Sequence, residues 1–382
     1  MIPAMQVCMD YQPAVVQRAG IGRYTRALAA GLLETKAPDD ALRLFYLDFF
    51  RRGRVDLEGA ETKASRILPG AILQRLWRTV GLPPFDMLSG KADVFHFTNF
   101  LRPPLRRGRS VTTVFDMSFE RFPEFAEARN LRNLRRGIAA TAEKSDAIIT
   151  ISDFSAREIA EFLPAARGKL FPIPLGISPS FAPAGADAVS AMRERLSLRN
   201  PYLLAVGTIE PRKNLHFLMD VFESMEGDSA LSDMDLVICG MPGWRCDDII
   251  ERFSSSPRAS KIRYMRYVPD GELEALYSGA AAFVLASRYE GFGFPPLEAM
   301  ACGAPVVSSA GGSLPEVLGD GAVIVPDFDP EVWRSAIARA ATDDAFRADL
   351  AKRGAAKAAT YRWERTARET WKVYRGEAEA VC

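Results

Sequence analysis

Glu290 and Glu298 stand with seven residues between them in Ser287-Arg288-Tyr289-Glu290-Gly291-Phe292-Gly293-Phe294-Pro295-Pro296-Leu297-Glu298, just after an apolar run ending near Leu285. Gly291 and Gly293 permit a tight turn with exposed amides, Pro295 or Pro296 suits a first helical turn, and Gly303 closes the helix. A helix amino terminus carries unpaired N–H groups and partial positive charge, the chemistry that holds a diphosphate. Glu290 is placed for the hydroxyls of a sugar. Glu298, one turn inside the helix, suits the diol of a ribose, or else caps its own helix. Gly207 ends a second strand, and Arg212 with Lys213 follows at the start of the next helix. Two cations there meet the same diphosphate and stabilise it as a leaving group, or they are a solvated basic helix start.

The amino half offers weaker signals. Gly20-Ile21-Gly22-Arg23-Tyr24 follows the first strand and opens a helix through Leu28 and Leu32, a form that lets backbone approach phosphate but also that of an ordinary turn. A dehydrogenase is set aside, because residue 25 is Thr25 and no ribose-binding acid is well placed. Asp116 is a candidate catalytic or acceptor-binding acid, or a turn former. His96 ends a strand in "VFHFTNF" and is placed either for an acceptor or as a satisfied structural histidine; His216 is assigned no role. Asp233-Met234-Asp235 and Asp327-Phe328-Asp329 have the look of metal-binding pairs. The first precedes a strand and the second follows one, and Arg212, Lys213 and a helix terminus already neutralise a diphosphate, so no metal and no cofactor is expected.

These residues hang on an alternation of short β-like runs with longer helical ones. The runs are Met5 to Asp10, Leu42 to Leu47, Val94 to Thr98, Val111 to Phe115, Ala147 to Ile151 and Lys169 to Ile173. The stretch Pro172 to Ala186, rich in Pro, Gly, Ser and Ala, breaks the pattern. It resumes with Tyr202 to Val206, Leu236 to Cys239, Ile262 to Tyr264, Ala282 to Leu285, Val306 to Ser308 and Val323 to Val325. The expected class is α/β, two Rossmann-like doubly wound parallel-sheet domains facing each other across a cleft, and 382 residues suffice for two cores. Residues 1–180 form the first and 181–361 the second. Phe49 to Lys91, with Leu73, Leu76, Trp77 and Met87 among arginines, shows no clean period and reads as an irregular or membrane-facing insertion.

The net charge of +1 conceals an excess of seven positive charges in residues 1–175 and of six negative charges beyond. Arg51-Arg52-Gly53-Arg54, Arg102 to Arg109 and Arg132 to Arg136 suit an anionic membrane surface or a phosphate-bearing acceptor, or are solvated charge. Cys8, Cys239, Cys246, Cys302 and Cys382 form no CxxC pair, which reads as a reduced, cytoplasmic chain without structural zinc. No run approaches the ~18 apolar residues of a membrane span, so membrane contact is expected only at the periphery of the cytoplasmic face.

With these residues in place, "EGFGFPPLEAMACGAPVV" resembles the signature of the family 4 retaining glycosyltransferases of the GT-B fold. The likeness extends to Gly207-Thr208-Ile209-Glu210-Pro211-Arg212-Lys213-Asn214, to Tyr267-Val268-Pro269-Asp270 with Leu273 and Leu276-Tyr277, and to Arg362-Trp363-Glu364-Arg365-Thr366-Ala367. Within the family it is similar to bacterial mannosyltransferases of surface polysaccharide assembly. The resemblance implies a nucleotide-sugar donor, GDP-mannose before UDP-glucose or another UDP-hexose, and a lipid-linked or oligosaccharide acceptor, with no nucleic acid. It implies donor contacts at Gly20, Gly22, Gly207, Val268, Gly291, Phe292, Gly293, Phe294, Pro295, Leu297 and Glu298, and catalytic roles for Glu290, Arg212, Lys213 and Asp116. It also implies that helix 362–380 returns to complete the first domain. Two departures stand out. Thr208 replaces an arginine common after the strand glycine. Phe115, in "SVTTVFDMSFERFP", replaces a histidine beside donor and acceptor, which keeps open a non-catalytic sugar-nucleotide-binding partner. Same-face substitution and double displacement both give retention, and the family favours the former.

Overall fold

The computed structural model describes residues 4–17, 20–51, 53, 55 and 57–381; Arg52 and Arg54 of the first basic cluster, and Cys382, lie outside them. The chain forms two compact units, Met1–Gly176 with Arg362–Cys382, and Ile177–Tyr361, so the boundary falls at Gly176 rather than 180.

The first unit is built on seven parallel strands: β1 (Gln6–Asp10), β2 (Ala41–Leu47), β3 (Glu61–Ser65), β4 (Val94–Phe97), β5 (Arg109–Thr113), β6 (Ala147–Thr150) and β7 (Leu170–Pro172), in the order β3-β2-β1-β4-β5-β6-β7. β4 and β6 are buried at every residue, as strands covered by helices on both faces must be. β1 pairs with β2 on one side and β4 on the other, so the strand order reverses there, the position at which such sheets bind ligands.

The stretch Phe49 to Lys91 is not an irregular insertion. It contains β3, paired parallel to β2, and the helices Gly70–Thr79 and Phe85–Ser89. Strand β3 escapes a periodicity search because Glu61-Thr62-Lys63 is an exposed edge and only Ser65 is buried. Leu73 is buried. Trp77 turns inward, donating its indole N–H to the Pro83 carbonyl at 2.7 Å and packing on Phe85.

The last helix, Trp363–Arg375, belongs to the first unit and lies along Ile21–Thr35. The helices touch where Gly31 has no side chain: a Cβ there would stand 3.1 Å from both Ala367 Cβ and the Trp363 carbonyl oxygen. Trp371 donates to the Leu32 carbonyl at 3.2 Å, and the buried Asp40 carboxylate is paired with Arg375. The stripe of Trp363, Ala367, Thr370, Trp371 and Tyr374 is thus largely core, as its spacing indicates.

The second unit carries β8 (Tyr202–Val206), β9 (Asp235–Cys239), β10 (Ile262–Met265), β11 (Ala282–Leu285), β12 (Val306–Ser309) and β13 (Val323–Val325), all parallel, in the order β10-β9-β8-β11-β12-β13. Its core packs Leu203, Ile238 and Val284 of the sheet against Leu218 and Phe222 of the helix Leu215–Glu223 and Trp333 and Ile337 of Pro330–Thr342. Here the order reverses between β8 and β11, whose carboxyl ends lead into Gly207 and Ser287.

Candidate active site

The segments after β8 and β11, far apart in sequence, meet at this reversal. Pro211–Lys213 forms one 3₁₀ turn, and the Arg288 N–H donates to the Arg212 carbonyl at 2.9 Å, tying that turn to the loop bearing Glu290. Glu290 is 7% exposed and accepts three hydrogen bonds: from Lys213 Nζ at 2.6 Å and Ser287 Oγ at 2.6 Å on Oε1, and from Arg212 Nη1 at 2.7 Å on Oε2. Burial alone would raise its pKa; the charges of Arg212 and Lys213 and the bonds from Lys213 and Ser287 outweigh it and hold the carboxyl at about 2. Glu290 is therefore an anion at every physiological pH.

Arg212 is a strut as much as a cation. Its Nε and Nη2 donate to Glu210 Oε1 at 3.0 and 2.5 Å, and Nη1 also reaches the Tyr289 carbonyl at 2.6 Å. Glu210, Arg212, Lys213 and Glu290 together carry two positive and two negative charges. Lys213 reaches Glu290 by lying across Gly207, whose φ is 150° and whose imagined Cβ would meet Lys213 Cε at 3.1 Å.

The helix after the turn is Phe294–Ala301, with Gly293 as its left-handed N-cap. Pro295 and Pro296 have no N–H, so its first turn carries backbone donors only at Gly293 and Phe294, fewer than a helix amino terminus ordinarily presents. The side chains of Phe292 and Leu297 are buried in the core, so only their backbone remains for donor contact; Gly291 and Gly293 are buried, while Phe294 and Pro295 are half-buried. Glu298, 2% exposed, accepts from the Tyr277 hydroxyl at 3.0 Å. Val268 is half-buried beyond β10, at the sheet edge.

In the first unit Gly20 has φ 57° with nothing within 4 Å of an imagined Cβ, whereas at Gly22 that atom would lie 2.1 Å from the Gln17 carbonyl oxygen. The chain's own Pro13–Gln17 segment crosses Gly22, which accounts for that glycine. His96 is fully buried, its ring nitrogens bonded to Tyr374 Oη at 2.6 Å and Thr113 Oγ1 at 2.8 Å, and burial lowers its pKa to about 3. This corrects the acceptor role expected for it: His96 is a neutral structural histidine. Phe115, two residues past β5, packs edge-on against Tyr24 at 5.0 Å, and Asp116 accepts from the Ser118 N–H at 2.9 Å as a turn former.

Both Asp-x-Asp pairs have structural uses. Asp235 begins β9 and accepts from Asn200; Asp329 caps Pro330–Thr342. Among the described residues no group of three or more His, Cys, Asp or Glu could hold a metal ion.

Several residues at the site carry no role in the sequence reading. Glu210 and Ser287 are quoted there only within motifs. The loop after β12, Gly311-Gly312-Ser313, wraps the Glu290 backbone: the Ser313 N–H and Oγ both donate to the Glu290 carbonyl, at 2.9 and 3.1 Å. A Cβ on Gly312, whose φ is 68°, would stand 2.3 Å from that same oxygen. The signal was available as paired glycines one residue past the end of a strand. Asp10, at the carboxyl end of β1 beside β4, is a further carboxylate at the reversal in the first unit, pushed up to about 6 by burial.

A family model described as glycosyl transferases group 1 matches residues 191–357. The chain is 30% identical over 384 residues to the O-antigen chain mannosyltransferase B of Escherichia coli, covering 97% of this chain and 100% of that protein. Among solved structures, sucrose-phosphate synthase from Thermosynechococcus elongatus superposes with a TM-score of 0.78 at 19% identity, covering 97% of this chain and 98% of that one. WaaG, a glycosyltransferase involved in lipopolysaccharide biosynthesis, superposes at 0.70 with 16% identity, covering 97% and 100%. The chain belongs to the group 1 glycosyltransferases. Its two doubly wound units are those of the GT-B architecture.

Proposed function

We propose that this enzyme is a retaining hexosyltransferase that moves mannose from GDP-mannose onto a lipid-linked or oligosaccharide acceptor in surface-polysaccharide assembly. The observation that carries the reading is the Glu290 carboxylate clamped between Lys213 and Arg212 at the carboxyl ends of β8 and β11. The donor diphosphate takes Lys213 as its principal cation, together with the Gly293 and Phe294 backbone. As the sugar–phosphate bond breaks, charge grows on the leaving diphosphate, and a preorganised ammonium stabilises that state more than the ground state. Glu290 holds the sugar hydroxyls and Glu298 the ribose. A carboxylate that accepts three bonds and has a pKa of about 2 is a weak nucleophile, which favours same-face substitution over a glycosyl-Glu290 intermediate. No metal enters this scheme.

Mannose and the polysaccharide setting rest on the full-length likeness to a mannosyltransferase of O-antigen chains. Incubation with a panel of nucleotide sugars, scoring nucleotide release, tests them: faster turnover of UDP-glucose than of GDP-mannose defeats the mannose assignment. Donor binding without transfer to any acceptor would instead favour a non-catalytic partner.

Among the described residues no helix is long and apolar enough to cross a membrane. We infer peripheral binding to the cytoplasmic face of an anionic membrane through the first unit. Ile72 on Gly70–Thr79, then Val80 and Leu82, are exposed, and Arg78 Nη1 bonds Asn133 Oδ1 at 3.0 Å on the neighbouring helix Ala128–Lys144. That helix exposes Arg129, Arg132 and Arg136 along one side, giving apolar and cationic groups on adjoining elements. Cosedimentation with liposomes should rise with anionic lipid and fall in Arg129→Ala/Arg132→Ala/Arg136→Ala; indifference to lipid charge defeats the inference.

A further inference from the structure

We propose that Tyr277 is a positioning residue for nucleotide recognition, its hydroxyl setting the Glu298 carboxylate in the orientation that accepts the ribose diol. The inference rests on the assignment of Glu298 to the ribose and names the group that makes that assignment work.

Tyr277 lies in the last turn of the helix Asp270–Ser278, which leads into β11, and Glu298 is the fifth residue of Phe294–Ala301, which leaves it. The phenol is fully buried, with Phe181 and Phe283 packed around its ring, and its hydroxyl donates to Glu298 Oε2 at 3.0 Å. The neighbouring Ser278 donates to the Cys302 carbonyl at 3.1 Å, four residues beyond Glu298. The end of one helix is thus pinned to the other at two points one turn apart. Burial and the nearby Glu298 charge raise the Tyr277 pKa well above its ordinary value, so the hydroxyl stays a donor across the working range.

A glutamate side chain has three rotatable bonds, and a carboxylate reading two adjacent hydroxyls must be held in one rotamer before the ligand arrives. A fixed donor on one oxygen restricts that choice of rotamer before binding. Tyr277 touches neither sugar nor phosphate in this scheme, so its effect should appear in nucleotide affinity and KM, with kcat close to that of the parent enzyme.

The test is titration calorimetry on the full chain with GDP and UDP, taking whichever binds more tightly, and with its 2′,3′-dideoxy counterpart. The readout is the ratio of the two dissociation constants. A carboxylate–diol contact gives the parent protein a ratio of about ten-fold or more, since charge-assisted bonds lie at ~1.5–3 kcal/mol and 1.4 kcal/mol is ten-fold. Glu298→Gln should bring the ratio near one. Tyr277→Phe should lower it several-fold by weakening the ribonucleotide alone, with dideoxynucleotide binding unchanged. Phe283→Leu, which disturbs the packing around the ring and keeps the hydroxyl, should leave the ratio intact, and thermal melts verify folding.

A parental ratio in Tyr277→Phe, with a lost ratio in Glu298→Gln, overturns the positioning role and leaves the ribose assignment standing. Equal weakening of both nucleotides by Tyr277→Phe also overturns it, in favour of a purely structural tyrosine. A parental ratio in Glu298→Gln, or binding of neither GDP nor UDP, removes the ribose assignment and the inference together.

Discussion

Lys213 Nζ lies 2.6 Å from Glu290 Oε1, and the lysine side chain is 10% exposed. A buried pair of this kind is costly to break from one side, because the surviving charge is left with fewer partners. Lys213→Ala should lower kcat by ~10²–10³-fold, the usual size for removal of one preorganised charge at a reaction centre. Its melting temperature should fall as well. Glu290→Gln keeps the shape and should lose about as much activity with a smaller change in stability. Equal kcat in Lys213→Ala and the parent would refute the leaving-group role.

Gly207 makes room for that lysine. With φ at 150° and Lys213 Cε 3.1 Å from any Cβ, Gly207→Ala both strains the backbone and displaces the ammonium. The expected outcome is a fall in kcat/KM of about ten-fold or more, since ~1.4 kcal/mol of lost transition-state stabilisation suffices, with diffraction or NMR showing Lys213 moved from Glu290. Gly271, with open space around it, is the control: Gly271→Ala should leave activity unchanged.

Gly312 presents the same problem more sharply. A methyl group there would overlap the Glu290 carbonyl oxygen at 2.3 Å with φ at 68°, and the obstacle is backbone that cannot swing away. Gly312→Ala should cost at least ~2 kcal/mol in chemical denaturation and should abolish transfer by shifting Glu290. A variant as stable and active as the parent would contradict the account of the loop after β12.

The strands and the donor-side segments were legible because their signals are local. Ala282–Leu285 followed by Gly291, Gly293 and two prolines can hardly be anything but a strand, a turn and a helix start. What was not legible depends on who the neighbours are. Pro295 and Pro296 announce the helix start and also delete two of its donors, a consequence visible only once the helix register is known. Strand β3 carries the polarity of a sheet edge, so hydrophobic periodicity passes over it. The pairing of Arg212 with Glu210 as well as Glu290 joins residues 78 positions apart along the chain, and spacing does not encode such a bond. His96, at the end of a strand, was open to two readings, acceptor contact or structural histidine; Tyr374, 278 residues later, is what decides for the second.

His96 supplies a test in pH. Its folded pKa of about 3 lies below the ordinary value of 6.5 because burial disfavours the cation. The unfolded chain therefore binds a proton that the folded chain refuses throughout the interval between those values. Stability from this residue is complete above about 6.5 and declines as pH falls toward 3, by ~1.4 kcal/mol per pH unit for one proton. Glu290, held at about 2, adds a loss of the same sign that begins only below about 4.5. Between pH 6.5 and 5 Glu290 is silent, while Asp10, raised by burial from 3.8 to about 6, takes up a proton in the folded chain and offsets part of the histidine's loss. The histidine is therefore isolated by comparison with a variant that lacks it. In urea unfolding the parent should be more stable than His96→Asn at pH 7, and that lead should shrink as pH falls from 6.5 to 5, the Asp10 contribution being common to both. A lead that stays constant across the interval would mean that His96 contributes no pH-dependent stability.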